Sequence, residues 1–255
     1  MSALRTLLLL LSCYGMLLGL DFKEADATYR IRFGWVGVIG SVNASLKIER
    51  GRYLIRMEAD AEGVAKLLSG HRKEIYESRG RYVGGILRPD LYIKRVSHSG
   101  KSEEVRYLFD HKRKQITVRI RSSEEAGTKE RVKRLGYYAV DDLMSLYFNL
   151  PALLKHQEAA TRLALHAVGA NPKDGHLDLI VPDARTERKL RRLVKGEGRI
   201  VKVVVYRKIF TSKRGEFILL LDRRGFCRRG VLKDLFFFGD VTADLTHLHI
   251  SPSKE

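Results

Sequence analysis

The sequence predicts a mainly β protein, namely an antiparallel, strongly curved sheet or incomplete barrel with one or two short helices. Most of its apolar segments are short, rich in β-branched or aromatic residues, and bounded by Gly, Asp or Pro. Several of them alternate apolar and polar residues, as strands buried on one face do. Helical patterns between these segments are too few for a parallel βαβ array, which leaves antiparallel pairing.

The N-terminus has the pattern of a secretory signal peptide. A single cation, Arg5, precedes the uncharged run TLLLLLSCYGMLLGL at residues 6–20. The run is shorter than the roughly 20 residues that span a bilayer, which favours a cleaved leader over a retained anchor. Residues 25–27, Ala-Asp-Ala, have the small-x-small form of a cleavage site and predict a signal peptide over residues 1–27. Cleavage nearer Leu20 is the alternative.

These features predict export to the periplasm, with inner-membrane anchoring by an uncleaved N-terminal segment as the alternative. Residues 28–255 are predicted to form a single β-rich domain. Its halves, at about 28–125 and 160–250, are joined by a helix near 141–156.

The first half begins with YRIRFGWVGVIGSVNASLKI, residues 29–48. Its apolar positions change parity after Gly37 and Gly40, which predicts a bulge or tight turn between two strands. The charged segment DHKRK predicts the turn of a hairpin over residues 105–120. The following segment, RSSEEAGTKERVKR, is polar throughout, and we predict a surface loop there.

One segment, AVDDLMSLYFNLPALLKH, predicts a helix. Asp141 or Asp142 can cap its N-terminus, and Leu143, Tyr147 and Leu150 fall on one helical face. The second half then continues in short strands. Its basic stretches ARTERKLRRLVKGEGR and DRRGFCRRG are predicted to be hairpin tips.

No motif predicts a chemical reaction. The segment GWVGVIG has neither the P-loop ending nor the spacing of a dinucleotide-binding loop. His247 and His249 share a strand face without a third ligand at a metal-binding spacing. Cys227 lies among arginines and is either a reactive thiol or a small strand residue. We therefore predict no catalytic residue, no metal and no cofactor.

Charge is the strongest anomaly. The formal net charge is +18, and residues 182–234 contain 17 Lys or Arg against 6 Asp or Glu. These cations are either solvated hairpin tips or an anion-facing surface. Nucleic acid is the anion least available to an exported protein, so the partners considered are anionic lipid and envelope glycan, with peripheral membrane contact. The predicted anion-facing residues are Arg188, Lys189, Arg191, Arg192, Arg223, Arg224, Arg228 and Arg229.

Four segments, YRIRFGWVGVIGSVNASL, GGILRPDLY, DDLMSLYFNL and FILLLDRRG, together give a likeness across residues 28–255. The chain resembles the exported bacterial domain of unknown function 3108 family. The last segment departs from the family pattern, because GFC stands where a proline commonly follows. The resemblance implies a periplasmic β-rich protein and no activity, since none is established for the family.

The leading hypothesis is a non-catalytic cell-envelope protein that binds an apolar or anionic amphipathic envelope component. Curved sheets can enclose an apolar cavity, and Phe33, Trp35, Tyr147 and residues 236–238 are candidate cavity or core residues. Two alternatives remain open at this point. The first is an enzyme acting on envelope glycans, and the second is an envelope assembly factor that binds a protein partner.

Overall fold

The computed structural model describes residues 20, 22–63, 71–125, 127–206, 215–235 and 239–252. Nearly all of the apolar N-terminal run, and the candidate core residues 236–238, lie outside the described residues. Within the described ranges, no helix is both long enough and apolar enough to cross a membrane.

The described residues form one sheet of 15 strands and two α-helices. The strands are β1 (Phe22–Phe33), β2 (Gly37–Glu49), β3 (Arg52–Ala61), β4 (Lys73–Val83), β5 (Ile86–His98), β6 (Lys101–Asp110), β7 (Gln115–Glu124), β8 (Gly127–Arg134), β9 (Asp141–Asp142), β10 (Arg162–Val168), β11 (His176–Ile180), β12 (Arg199–Val205), β13 (Gly215–Leu221), β14 (Cys227–Leu235) and β15 (Gly239–Pro252). The helices are α1 (Leu143–Leu154) and α2 (Ala184–Val194).

The strand order is β8-β7-β6-β5-β4-β3-β2-β1-β15-β14-β13-β12-β11-β10-β9. Neighbouring strands are antiparallel except for β9 and β10, which are parallel. Because β1 pairs with β2 on one side and with β15 on the other, the first and last strands join the two halves. The sheet stays open, with β8 and β9 at its edges. The predicted curved antiparallel sheet with short helices is confirmed.

The change of parity in residues 29–48 is also explained. A single turn of 3-10 helix, Gly34–Val36, connects β1 to β2, and the pairing register shifts between Ile31 and Arg32. Gly37 has a φ of 86°, a conformation that glycine adopts without strain. The predicted turn between two strands is therefore confirmed. The hairpin predicted over residues 105–120 is confirmed as β6 and β7.

The surface loop predicted for RSSEEAGTKERVKR is wrong. Strand β7 continues to Glu124, and β8 pairs with it as an edge strand. Every residue of β8 is exposed. An edge strand exposed on both faces needs no apolar alternation, because its backbone hydrogen bonds alone hold it to the sheet. Its lysines and arginines also discourage pairing with a second chain.

The hairpin tip predicted for ARTERKLRRLVKGEGR is also wrong, because most of this stretch forms α2. The Asp183 carboxylate caps the helix by accepting a 2.8 Å hydrogen bond from the Thr186 amide. Leu190 and Val194, one helical turn apart, are buried on the convex face of the sheet. They pack in one cluster with Ile218. The arginines occupy the remaining faces of the helix.

The residue at which β1 begins bears on where the predicted signal peptide would be cleaved. Phe22, Ala25 and Ala27 are buried, and β1 pairs with β15 from Phe22 onward. Cleavage after Ala27 would remove the first half of this strand, whereas cleavage near Leu20 would leave it whole.

Helix α1 lies in the concave space between the two halves, where its sides join different apolar clusters. Met144 packs with residues of the first half, including Ile55 and Leu87. Leu150 and Leu154 pack with residues of the second half. The helix therefore fills one part of the concave space and connects the halves.

Candidate functional site

The concave face and α1 enclose a cavity of about 880 Å³. Both halves contribute walls, and the lining side chains are mostly apolar. On the first three strands many of them are small: Ala25, Ala27, Ala44 and Ala59 all line the cavity. Small side chains at inward positions leave space that larger residues would have filled. The cavity therefore follows from the residue sizes on β1 to β3.

A buried polar cluster fixes the N-terminus of α1. The Asp142 carboxylate accepts hydrogen bonds from the Met144 and Ser145 amides at 2.8 and 2.9 Å, and the Ser145 hydroxyl accepts from the Asp142 amide at 3.0 Å. This reciprocal cap confirms the prediction that an aspartate begins the helix. Ser78 on β4 donates to the other carboxylate oxygen at 2.6 Å, and its hydroxyl lies 2.8 Å from that of Tyr53.

Asp142 is fully buried, and burial raises its pKa to about 7. Burial also raises the pKa of the neighbouring Asp141. Neither residue lines the cavity. Because no ligand in the cavity would touch them, these two carboxyl groups have a structural role.

The middle of α1 is fastened to β5 by Asn149. Its side-chain amide donates to the Leu87 carbonyl oxygen at 2.9 Å, and its carbonyl oxygen accepts from the Leu87 amide at 2.9 Å. Asn149 also donates to the Asp141 carboxylate at 3.0 Å. These contacts hold the helix that forms one wall of the cavity.

Tyr147, Tyr29 and Cys227 meet where α1 approaches the strands joining the halves, and all three line the cavity. The Tyr147 hydroxyl accepts a 2.8 Å hydrogen bond from the Cys227 amide, and Tyr29 packs against the same cluster. Burial raises the pKa of both tyrosines and raises that of the Cys227 thiol to about 12. All three groups are therefore neutral, and Cys227 is an unreactive residue of the wall.

Four charged residues line another part of the cavity wall, namely Glu74, Lys94, Glu103 and Lys133. Glu103 and Lys133 are exposed, so the cavity reaches solvent there. Glu74 accepts a 2.6 Å hydrogen bond from Arg72 and another from the Tyr76 hydroxyl. Although burial raises the pKa of Glu74, these bonds outweigh that effect and leave the pKa below its usual value. The site is thus apolar inside and charged at its mouth.

Phe33, Trp35 and Tyr147, the candidate ligand-binding residues among the described part of the chain, do not lie together. Tyr147 lines the cavity, whereas Phe33 and Trp35 are absent from its lining. Trp35 lies in the β1–β2 connection and is 78% exposed. Its interpretation as a cavity or core residue is corrected, because it lies beyond the end of the paired strands with most of its side chain exposed.

The predicted basic patch divides into two locations. Arg188, Lys189, Arg191 and Arg192 lie on α2, while the others lie in the β13–β14 connection (Arg223, Arg224) and on β14 (Arg228, Arg229). Arg191 forms a salt bridge with Glu187 at 2.5 Å, and Arg229 forms one with Asp244 at 3.4 Å. None of the eight lines the cavity.

The residues that sequence analysis missed are the inward alanines and Lys94. Ala25 and Ala27 stand two positions apart on β1, a signal that was available but is shared with ordinary strands. Lys94 carried no signal, because its inward direction depends on the register between β4, β5 and β6. Among the described residues, no group of three or more His, Cys, Asp or Glu side chains could hold a metal ion.

The fold and the site together define a class of protein: a single open, curved antiparallel sheet that wraps an apolar cavity closed on one side by a helix. The DUF3108 family, whose description is protein of unknown function, matches residues 28–181. The chain therefore belongs to this family. The match ends before the FILLLDRRG segment, so the likeness of that segment to the family stays a prediction. Comparison with curated proteins and comparison with solved structures gave no match.

Proposed function

We propose that this protein is a non-catalytic binding protein that holds one apolar or amphipathic molecule in the cavity between the sheet and α1. The observation that carries the proposal is the cavity itself. Its volume of about 880 Å³ lies within the roughly 300–1,000 Å³ typical of ligand pockets. Its walls are mostly apolar, with polar groups gathered at the mouth, which suits a ligand that has an apolar body and a polar end.

The energetics support an aliphatic ligand. Each methylene group moved from water into an apolar site gains about 0.8 kcal/mol. The walls combine small and flexible side chains, including Ala44 and Met57, and such walls accept chains of different shape. The chemistry of the interior favours binding over reaction, because Tyr29, Tyr147 and Cys227 are neutral there.

We further propose that the protein works in the cell envelope and that the exposed cations of α2 contact an anionic surface. Arg188, Lys189 and Arg192 are exposed and make no ion pair with the described residues. Binding of this kind weakens as salt rises. Sedimentation with vesicles of anionic and of neutral phospholipid tests it, and equal binding to both vesicles would contradict it.

A substitution that fills the cavity with a large side chain tests whether the cavity binds a ligand. Ala44→Trp places a large side chain on the inner face of β2, and Leu54→Trp, on the outer face of β3, is the matched control. Titration with the fluorescent apolar probe N-phenyl-1-naphthylamine should show saturable binding to the unmodified protein and to L54W. It should show at least about tenfold weaker binding to A44W, equivalent to about 1.4 kcal/mol. Failure of the unmodified protein to bind, or equal binding by A44W with a retained melting temperature, would overturn the proposal.

A further inference from the structure

We infer that Lys94 is the anion-binding residue of the cavity, so that the preferred ligand is an amphiphile with an anionic head. This inference rests on the proposed function and narrows it to one class of ligand. The head group would lie at the mouth beside Lys94, and the apolar tail would extend inward toward Tyr147 and Phe148, which line the cavity.

The position of Lys94 in the sheet is the first observation. Lys94 lies on β5. It pairs with Tyr76 of β4 on one side and with Val105 of β6 on the other side. All three residues line the cavity. Lys94 is half-buried, so its charge is held at the edge of an apolar surface. A cation in such surroundings gains from a nearby anion more than an exposed cation does.

The second observation is that the Lys94 ammonium makes no close contact with a carboxylate. Among the described residues, the Lys94 ammonium makes neither a hydrogen bond nor an ion pair. The chain has 48 Lys and Arg side chains, and many of the others do form ion pairs. Glu74, the other half-buried charge in the wall, is already bound by Arg72 and Tyr76. Glu103 is exposed. Glu74 attracts the Lys94 ammonium through space, but neither carboxylate forms a salt bridge with it.

The third observation is a space for a head group. A second pocket of about 260 Å³ shares Lys94 and Glu103 with the cavity and therefore adjoins it. Two other cations line this pocket, and both are paired: Arg72 with Glu74 at 2.6 Å and Lys101 with Glu124 at 3.5 Å. Of the described cations that line this pocket, Lys94 is therefore the one that no salt bridge occupies, and it can bind an anionic ligand.

A carboxylate or a phosphate could supply the anion, the first from a fatty acid and the second from a phospholipid. The test uses three ligands with the same C16 chain: hexadecanoate, hexadecyl phosphate and the uncharged 1-hexadecanoylglycerol. Their affinities are measured by displacement of N-phenyl-1-naphthylamine. The variants are Lys94→Met, which keeps the apolar length, Lys94→Arg, which keeps the charge, and Lys112→Met, the control in the β6–β7 turn.

The unmodified protein and K112M should bind at least one anionic ligand about tenfold or more tightly than the uncharged one, the size expected for a charge-assisted hydrogen bond. K94M should lose this preference while its affinity for 1-hexadecanoylglycerol stays unchanged, and K94R should keep it. The stronger of the two anions then identifies carboxylate or phosphate as the head group.

Two results would overturn the inference and leave the proposed function intact. The first is equal affinity of the unmodified protein for charged and uncharged ligands. The second is an anion preference that persists in K94M, which would mean that the Lys94 ammonium only extends into water. If the probe itself did not bind to the unmodified protein, the proposed function would fail as well.

Discussion

The Ser78 hydroxyl donates a 2.6 Å hydrogen bond to the carboxylate of Asp142, and both residues are fully buried. Ser78 belongs to β4 in the first half of the sheet, and Asp142 caps α1, which leads into the second half. This single contact therefore connects elements that are far apart in the sheet order. It also sets the position of the helix that closes one side of the cavity.

Asp142 predicts a pH dependence of stability. Its pKa is about 7 in the folded protein and about 3.9 in an unfolded chain, so the folded state binds more protons between these values. The free energy of unfolding contributed by Asp142 is therefore greatest below about pH 4 and decreases as pH rises to about 7. Asp142→Asn cannot titrate, so its stability relative to the unmodified protein should increase with pH over this window.

The control for this prediction is the cap of α2. The backbone and side-chain hydrogen bonds from Thr186 lower the pKa of Asp183, so Asp183→Asn should lose stability relative to the unmodified protein as pH rises through about 4. Urea unfolding at a series of pH values measures both differences. The same slope in both variants would contradict the assignment of a raised pKa to Asp142.

The hydrogen bonds between Asn149 and Leu87 predict that Asn149 contributes strongly to stability by fastening α1 to β5. Asn149→Ala leaves the amide and carbonyl groups of Leu87 without their partner, so the free energy of unfolding should fall by about 2–4 kcal/mol. Asn43→Ala is the control, because Asn43 is exposed and accepts only a 2.9 Å bond from the Thr28 hydroxyl. We expect a change of about 0.5 kcal/mol there. Equal losses in urea unfolding would show that Asn149 does not fasten the helix.

Gly80 lies at a position of β4 that cannot accommodate a side chain. A Cβ atom there would lie 2.0 Å from the Arg88 carbonyl oxygen, at the register shift between β4 and β5. Gly80→Ala should lower the free energy of unfolding by about 3 kcal/mol or more. Gly136→Ala meets nothing within 4 Å and should change it little. If thermal unfolding of the two variants is alike, the strand register at Gly80 is not as described.

The start of β1 predicts where a leader would be cut. Because Phe22 and Ala25 are buried in the core, we expect cleavage near Leu20 rather than after Ala27. Intact-mass measurement of the protein purified from the cells that express it locates its N-terminus. An N-terminus at Thr28 would contradict the prediction, since it would remove the paired first half of β1.

The fold is predictable from the sequence where a local pattern decides the structure. Alternation and the glycines of residues 29–48 predicted the first strand pair, and Asp142 predicted the start of α1. Helix α2 was not predicted, although Leu190 and Val194 have helical spacing, because the abundant arginines obscured that spacing. Most residues that line the cavity could not be predicted, because the direction of Ala44 or Lys94 depends on strand register and on the curvature of the whole sheet.

The central claim is that the cavity holds an amphipathic molecule, and native mass spectrometry of protein purified without detergent from the cells that express it tests this most directly. The unmodified protein should carry a non-covalent amphiphile that is released on unfolding, and L54W should carry it too. A44W, whose cavity is filled, should have the mass of the chain alone. An unmodified protein with no bound amphiphile, or an A44W variant that carries the same amount, would contradict the claim.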